Sequence, residues 1–389
     1  MATPKIILPI IVAAQFMCTS LWFAGNAIMP DLAVKLNLMS SDVGLMTSSV
    51  QFGFIVGTLI YAILTIADRY KAPSVFLISA LLGAVFNGLI ILDISFIQIL
   101  TLRFWTGFFL AGIYPVGMKI AADHFEHGLG KALSFLVGAL VLGTALPHLI
   151  AAMDFNYDWR VVLLMTSSLA VIGGILIKIF VGEGSYRSKI QAPKFSGIGE
   201  VFRNSAFRSA AFGYFGHMWE LYAFWAFVPI ILDQYRAYHL IAVDVPILSF
   251  LIIGLGGLAC VAGGYLSGRL GTKRLATLAL SLSAICCLVS PIMFQLPISL
   301  FYAFLVFWGL VVIADSPLFS TLVAQNANPA LKGTALTIVT CIGFAITIVS
   351  IQLLSYLIEK SSFEFAYLIL AIGPLMGVIY LLRPTYASS

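Results

Sequence analysis

Apolar runs of about 20 residues recur along the whole chain, and short polar segments separate them. A helix rises about 1.5 Å per residue, so each run is long enough to cross the core of a bilayer. Hydropathy predicts about twelve membrane-spanning helices. Their approximate ranges are 6–28, 43–66, 74–92, 97–120, 132–152, 161–181, 207–232, 247–267, 275–294, 298–322, 334–356 and 364–382.

The longest polar segment separates the sixth predicted span from the seventh. It begins at Gly182, reads GEGSYRSKIQAPKFSGIGEVFRNSAFR and is the segment richest in Lys and Arg. We interpret residues 182–206 as a cytoplasmic linker between two six-helix bundles, residues 1–181 and 207–389. The predicted fold is therefore an all-α polytopic membrane protein.

Two features recur in both halves, which indicates an internal repeat. Asp68-Arg69 follows the second span, and Gly268-Arg269 follows the eighth, about 200 positions later. A proline lies in the fourth span and another in the tenth, at nearly the same offset. Pseudo-symmetric bundles of this kind are typical of transporters whose binding site lies between the two halves.

Composition agrees with a membrane protein. The 389 residues are 61% hydrophobic and 10% charged, whereas soluble domains carry about 25% charged residues. The net charge of +5 is scattered between the spans, so we predict no nucleic-acid partner. The five cysteines all lie in apolar runs without metal-ligand spacing, which favours buried apolar roles over disulfides.

Basic residues predict the orientation. With the N-terminus in the cytoplasm, about sixteen Lys and Arg residues fall at cytoplasmic ends and about four outside, as the positive-inside rule requires. Both termini are then cytoplasmic, and we expect the inner membrane of a bacterium. The apolar N-terminal stretch continues past Phe23 without a cleavage site, so we interpret it as the first span.

Several motifs resemble those of the major facilitator superfamily. GYLSGRLGTKR resembles the family's cytoplasmic loop motif, and its matching residues are Gly264, Gly268, Arg269, Gly271 and Arg274. The first copy keeps Asp68 and Arg69 but continues with Lys71-Ala72-Pro73. RFWTGFFLAG in the fourth span is similar to the family's Arg-x-x-x-Gly motif.

Other runs resemble subgroups of the family. GALVLGTALP is similar to its antiporter motif, with Leu146 where that motif has Gly, and SLWFAGNAIMPDL and YPVGMK are weakly similar to bacterial nitrate- or cyanate-type porters. The resemblance implies alternating access, with the first, fourth, seventh and tenth helices lining a central cavity.

Ionisable side chains lie well inside the spans at Arg103, His148, His217, Glu220 and Asp315. All but His148 lie on the helices implied to line the cavity. Because such a group costs about 2.5–3.5 kcal/mol at mid-bilayer on insertion scales, we expect these side chains to face water or a partner. For His148 we predict a hydrogen-bonded core position.

We predict that Glu220, near the membrane centre, couples transport to protons. His217 lies three residues earlier on roughly the same helix face and would tune the carboxylate. Asp315 precedes a helix break at Pro317, which frees backbone carbonyls. The alternative is that these residues form structural pairs, helix caps or a gate.

Substrate contacts are predicted from polar and aromatic residues of the spans. The candidates are Arg103, Asn26, Gln51, Tyr114, Trp219 and Tyr222. Arg103 could instead be a tether within its bundle, the amides could bond across helices, and the aromatic rings could pack against lipid.

These patterns predict a secondary transporter of a small polar solute, anionic if Arg103 faces the pocket, with protons as the coupling ion. The sequence leaves the oligomeric state open, and a monomer is favoured. Proton-coupled efflux of an amphipathic compound and a non-transporting membrane sensor are the alternatives. We predict no enzyme activity and no cofactor. The loop DHFEHG, residues 123–128, fits no metal-protease spacing, and we expect a solvated turn without a metal.

Overall fold

The computed structural model describes residues 6–153, 158–187, 198–328 and 331–383. In these ranges the regular structure is helical, without a strand. Within the described part of the chain, eleven helices are long and apolar enough to cross a membrane, and a shorter apolar helix spans Ile7–Thr19. The predicted all-α polytopic fold is confirmed. Part of the predicted linker, residues 188–197, lies outside the described residues.

The chain divides into two compact units. The N-terminal unit comprises residues 1–192 with 246–254, and the C-terminal unit comprises residues 193–245 with 255–389. In chain order the helices are α1 Ile7–Thr19, α2 Ala24–Ala27, α3 Met29–Leu36, α4 Ser40–Ile63, α5 Ile66–Arg69, α6 Ala72–Gly88, α7 Phe96–Leu110, α8 Tyr114–His124, α9 Leu129–Ala152, α10 Arg160–Phe180, α11 Ile198–Arg203, α12 Ser205–His239, α13 Val245–Gly254, α14 Gly256–Leu270, α15 Thr272–Met293, α16 Ile298–Ala314, α17 Ser316–Asn326, α18 Lys332–Lys360, α19 Phe363–Ala366 and α20 Ile372–Leu382.

The fourth and tenth spans are each interrupted next to a proline. Pro115 lies in the first turn of α8, and Pro317 lies in the first turn of α17. Proline fits the first turn of a helix but breaks the interior, because it lacks an N–H and its ring clashes with the preceding turn. The break predicted at Pro317 is therefore present, and Asp315 lies at it.

The first span is also broken, which the sequence pattern did not predict. The continuous helix expected over residues 6–28 is divided, because α1 ends at Thr19 and helix resumes at Ala24. No proline lies in the intervening residues 20–23. The carbonyls of Leu21 and Trp22 in this break accept hydrogen bonds from Arg103 of α7, as described below.

Glycines bring α4 and α7 into backbone contact. A Cβ atom added at Gly53 would lie 1.9 Å from the carbonyl oxygen of Phe104, and one at Gly57 would lie 2.4 Å from that of Phe108. Gly107 on α7 is equally close to the carbonyl of Val50, at 2.0 Å. The small-xxx-small spacing of Gly53 and Gly57 thus marks a close helix contact, as such spacing does in other membrane proteins.

Gly53→Ala is expected to destabilise the protein, because the added methyl group cannot fit without separating α4 from α7. Overpacking of this kind costs about 1–3 kcal/mol. Thermal unfolding of the purified protein in detergent measures the effect. Gly130→Ala on α9 is the control, since an added Cβ there meets no atom within 4 Å. Equal unfolding temperatures for the two variants would contradict the contact.

Candidate functional site

Arg103 lies on α7 with no exposed surface. Its Nη1 donates to the carbonyl oxygen of Leu21 at 3.0 Å and to Oδ1 of Asn87 at 3.0 Å, and its Nη2 donates to the carbonyl of Trp22. Leu21 and Trp22 belong to the non-helical break of the first span. Among the described residues, no acidic side chain pairs with Arg103.

The carbonyl groups of Leu21 and Trp22 explain how the buried guanidinium of Arg103 is stabilised without an acidic partner in the described ranges. Carbonyls at the C-terminal end of a helix carry partial negative charge and lack intrahelical donors. Asn87 extends the network, since its Nδ2 donates to the carbonyl of Leu163 at 3.3 Å and to Oγ1 of Thr166 at 3.1 Å. Arg103 therefore connects α7, the first span, α6 and, through Asn87, α10.

Two buried amides lie on the neighbouring helices α2 and α4. Nδ2 of Asn26 donates to Oγ1 of Thr47 at 2.7 Å, whereas its Oδ1 has no hydrogen-bond partner among the described residues. Gln51 lies one helix turn after Thr47, and neither atom of its buried amide has a described partner. Gly25, next to Asn26, lies against Arg103. The structure thus brings Arg103, Asn26 and Gln51 into one region of the N-terminal unit.

Tyr114 is half-buried at the first position of α8. It begins the helix that follows the break in the fourth span.

Glu220 lies on α12, in the C-terminal unit, with no exposed surface. Its Oε1 accepts three hydrogen bonds, from Oγ of Ser283 at 2.5 Å, from Nε1 of Trp308 at 2.6 Å and from Sγ of Cys287 at 3.2 Å. Its Oε2 has no hydrogen-bond partner in the described ranges. One carboxylate oxygen is thus fully engaged and the other is available.

His217 pairs with Asp315, not with Glu220 as the spacing suggested. Its Nδ1 lies 2.8 Å from Oδ1 of Asp315, and both side chains are almost fully buried. The approach is an ion-pair distance, but it falls outside hydrogen-bond angles, and both oxygens of Asp315 have no hydrogen-bond donor among the described residues. The pair sits at the break between α16 and α17.

The two aromatic candidates of the seventh span are part of the packing of the C-terminal unit. Nε1 of Trp219 donates to the carbonyl of Ile369 at 2.9 Å. The ring of Tyr222 lies 5.4 Å from that of Trp225 and 5.3 Å from that of Phe344, measured between centroids.

The first copy of the loop motif carries a charge network. Lys119 on α8 lies 3.0 Å from Asp68 and 3.3 Å from Asp123. Arg187, from the start of the linker, donates to the carbonyl of Asp68 at 2.5 Å. Nε of Arg69 donates to Oγ1 of Thr65 at 2.9 Å. The copy that departs further from the motif is thus tied to α8 and to the linker.

The second copy has a turn but no ion pair in the described part of the chain. Gly271 has φ of +86°, a conformation that residues with a Cβ rarely adopt. Arg269 and Arg274 are exposed, and Gly268 has no neighbouring atom within 4 Å of an added Cβ. The carbonyl of Gly264 accepts a hydrogen bond from Ser267 within the same turn of α14.

The DHFEHG loop forms local contacts. Nδ1 of His124 lies 2.8 Å from the carbonyl of Ile120. Glu126 interacts with Tyr186 and raises the pKa of the phenol, because the hydrogen bond and the nearby negative charge both favour its protonated form. No group of three His, Cys, Asp or Glu side chains in the described ranges could hold a metal ion.

The sequence did not single out three of the polar partners. Ser283 and Cys287 are four residues apart on α15, so they share one helix face, and Asn87 is an amide inside an apolar run. These patterns were visible, but only the fold shows which charged group each one faces.

Comparison with known proteins agrees with the fold. Residues 11–351 match the profile of the Major Facilitator Superfamily. The structure is similar to two crystal structures of a bacterial homolog to the human lysosomal transporter Spinster, both inward-facing. The unoccupied form shares 13% identity at a TM-score of 0.69 and covers 97% of this chain and 94% of its own. The occupied form shares 12% sequence identity at a TM-score of 0.70, and the match covers 98% of this chain and 95% of the chain of that structure. No curated protein sequence matches.

The chain belongs to the Major Facilitator Superfamily. It is an integral multi-pass membrane protein and a secondary transporter that moves a small-molecule substrate by alternating access. It is not an enzyme.

Arg103→Ala is expected to lower the thermal stability of the protein strongly. It would leave the carbonyls of Leu21 and Trp22 and Oδ1 of Asn87 without donors, and each unsatisfied buried group costs about 1–3 kcal/mol. Thermal unfolding in detergent measures the loss. Arg236→Ala is the control, because Arg236 forms an exposed pair with Asp233 and such pairs contribute about 0–1 kcal/mol. Similar unfolding temperatures for both variants would contradict the tether.

Proposed function

We propose that this protein is a proton-coupled secondary transporter of a small polar solute, and that Glu220 is its coupling carboxylate. The observation that carries the proposal is the unequal engagement of the two oxygens of Glu220. Three donors hold Oε1, whereas Oε2 has no described partner and the side chain is fully buried.

The surroundings of this carboxylate offer contacts to its ionised form and leave room for a proton on its other oxygen. Its ionised form is supported by the three donors on Oε1, and its neutral form carries a proton on Oε2 and needs no counter-ion. Intramembrane acids are rare because they are costly, and in transporters they mark proton pathways. Glu220 has no cationic partner in the described residues, so structural ion pairing does not account for it.

The His217–Asp315 pair supports the same function. It lies on α12 and at the end of α16, one helix turn from Glu220 along α12. Asp315 lies where the tenth span is interrupted, so a change in its charge would act on the helix break. We propose that this pair is a second protonatable group in the coupling route.

Direction and setting complete the proposal. We propose that both termini lie in the cytoplasm, because the basic residues cluster on that side. We also propose that the protein is a monomer in a bacterial inner membrane. Efflux of an amphipathic cation is the second candidate, because the available oxygen of Glu220 could accept a cation in competition with a proton.

Ligand-induced stabilisation of the purified protein tests solute and coupling together. Sodium salts of small anions and the lipophilic cation tetraphenylphosphonium are compared at pH 5.5 and 7.5, since binding to the folded state raises its stability by mass action. A pH-dependent effect confined to the anions supports uptake of a polar solute. An effect confined to tetraphenylphosphonium supports efflux.

Glu220→Gln is expected to abolish the pH dependence while the protein still binds its solute. In proteoliposomes, transport of the identified solute driven by a pH gradient should fall at least about tenfold, equivalent to about 1.4 kcal/mol. Glu364→Gln, at the start of α19, is the control and should behave as wild type. Full gradient-driven transport by Glu220→Gln at every pH would refute the coupling role.

A further inference from the structure

We propose that Nε of Arg103, together with the amides of Asn26 and Gln51, binds a negatively charged group of the transported solute, a carboxylate or another oxyanion. The proposal deepens the proposed function, on which it rests, by naming the substrate class. It assigns the contact to one region of the N-terminal unit, at the break of the first span.

The hydrogen bonds of Arg103 separate its structural and binding parts. Its two Nη atoms are occupied by Leu21, Trp22 and Asn87, which fixes the plane of the guanidinium. Its Nε, although fully buried, has no partner among the described residues. A purely structural role, holding the first span to α7, needs only the Nη atoms. It does not explain why the buried Nε has no described hydrogen-bond partner.

Charge indicates the class of ligand. The guanidinium carries a full positive charge and has no acidic partner in the described part of its unit. A charge-assisted hydrogen bond to an anion is roughly twice as strong as a bond between neutral groups. The amide of Gln51 and Oδ1 of Asn26 add unused donor and acceptor capacity on the neighbouring helices α4 and α2.

Gly25 packs directly against Nε of Arg103. A Cβ atom at this position would lie 3.0 Å from Nε of Arg103 and 3.1 Å from Sδ of Met46. Gly25 is helical and does not have a positive φ, so its backbone conformation does not require glycine. A methyl group added here would instead crowd Nε and the side chain of Met46, so it would act directly on the proposed site.

Gly25→Ala therefore tests the site without removing the tether. Thermal shifts of the purified variant are titrated with sodium formate, acetate, nitrate and phosphate, and with the uncharged formamide, acetamide and glycerol, at constant ionic strength and pH. In the wild type, at least one anion should stabilise and the uncharged compounds should not. In Gly25→Ala the affinity for that anion should fall at least about tenfold.

Gly83→Ala is the matched control. Its Cβ would meet Cδ1 of Leu21 at 3.2 Å, comparable crowding on α6 without an approach to Nε. It should keep wild-type anion affinity. The proposal is overturned if none of the anions stabilises the wild type more than the uncharged compounds do, or if both glycine variants retain wild-type affinity.

The two proposals fail separately. Anion binding is measured at one pH without a gradient, so Glu220→Gln should retain it even if Glu220 proves not to couple protons. Conversely, loss of proton coupling in Glu220→Gln together with absent anion binding would leave the proposed function standing and remove only the anion site.

Discussion

The hydrogen bonds from Arg103 to the carbonyls of Leu21 and Trp22 allow the first span to stop and restart inside an apolar environment. Lipid offers no donors, so an interrupted helix survives at membrane depth only where protein groups satisfy its backbone. One side chain from α7 supplies those donors. The burial of Asn26 at the break and the approach of Gly25 to Arg103 both depend on this arrangement.

In the C-terminal unit, the buried carboxylates are satisfied less completely than the backbone carbonyls that Arg103 contacts. Ser283, Cys287 and Trp308 all donate to one oxygen of Glu220, while the other oxygen and both oxygens of Asp315 lack described donors. A purely structural polar group gains by complete satisfaction, because each missing bond in the interior is costly. The missing hydrogen bonds of Glu220 and Asp315 are explained if these oxygens bind a partner that comes and goes, such as a proton or a solute.

Hydropathy was enough to predict the all-α fold, and Pro317 was enough to predict the break in the tenth span. The break in the first span could not be predicted in this way, because no proline marks it and the side chain that satisfies its carbonyls, Arg103, lies about 80 residues away in the chain. Local spacing also misled for His217. Three residues separate it from Glu220 on one helix, but its ring lies against Asp315 on another element, and only tertiary packing decides between such partners.

Proton coupling requires that a change in charge alters contacts between elements, because a ligand shifts a conformational equilibrium only through its differential interactions with the two states. Glu220 joins α12 to α15 through Ser283 and to α16 through Trp308. The carbonyl of Asp315 accepts the first backbone bonds of α17, from Leu318 and Phe319. Neutralising Glu220 would weaken its bonds to α15 and α16. Neutralising Asp315, at the start of α17, would weaken its attraction to His217 of α12. If the proposed function holds, protonation changes contacts among four helices of the C-terminal unit, α12, α15, α16 and α17. A change of one charge can therefore alter the packing of several helices, which is what coupling requires.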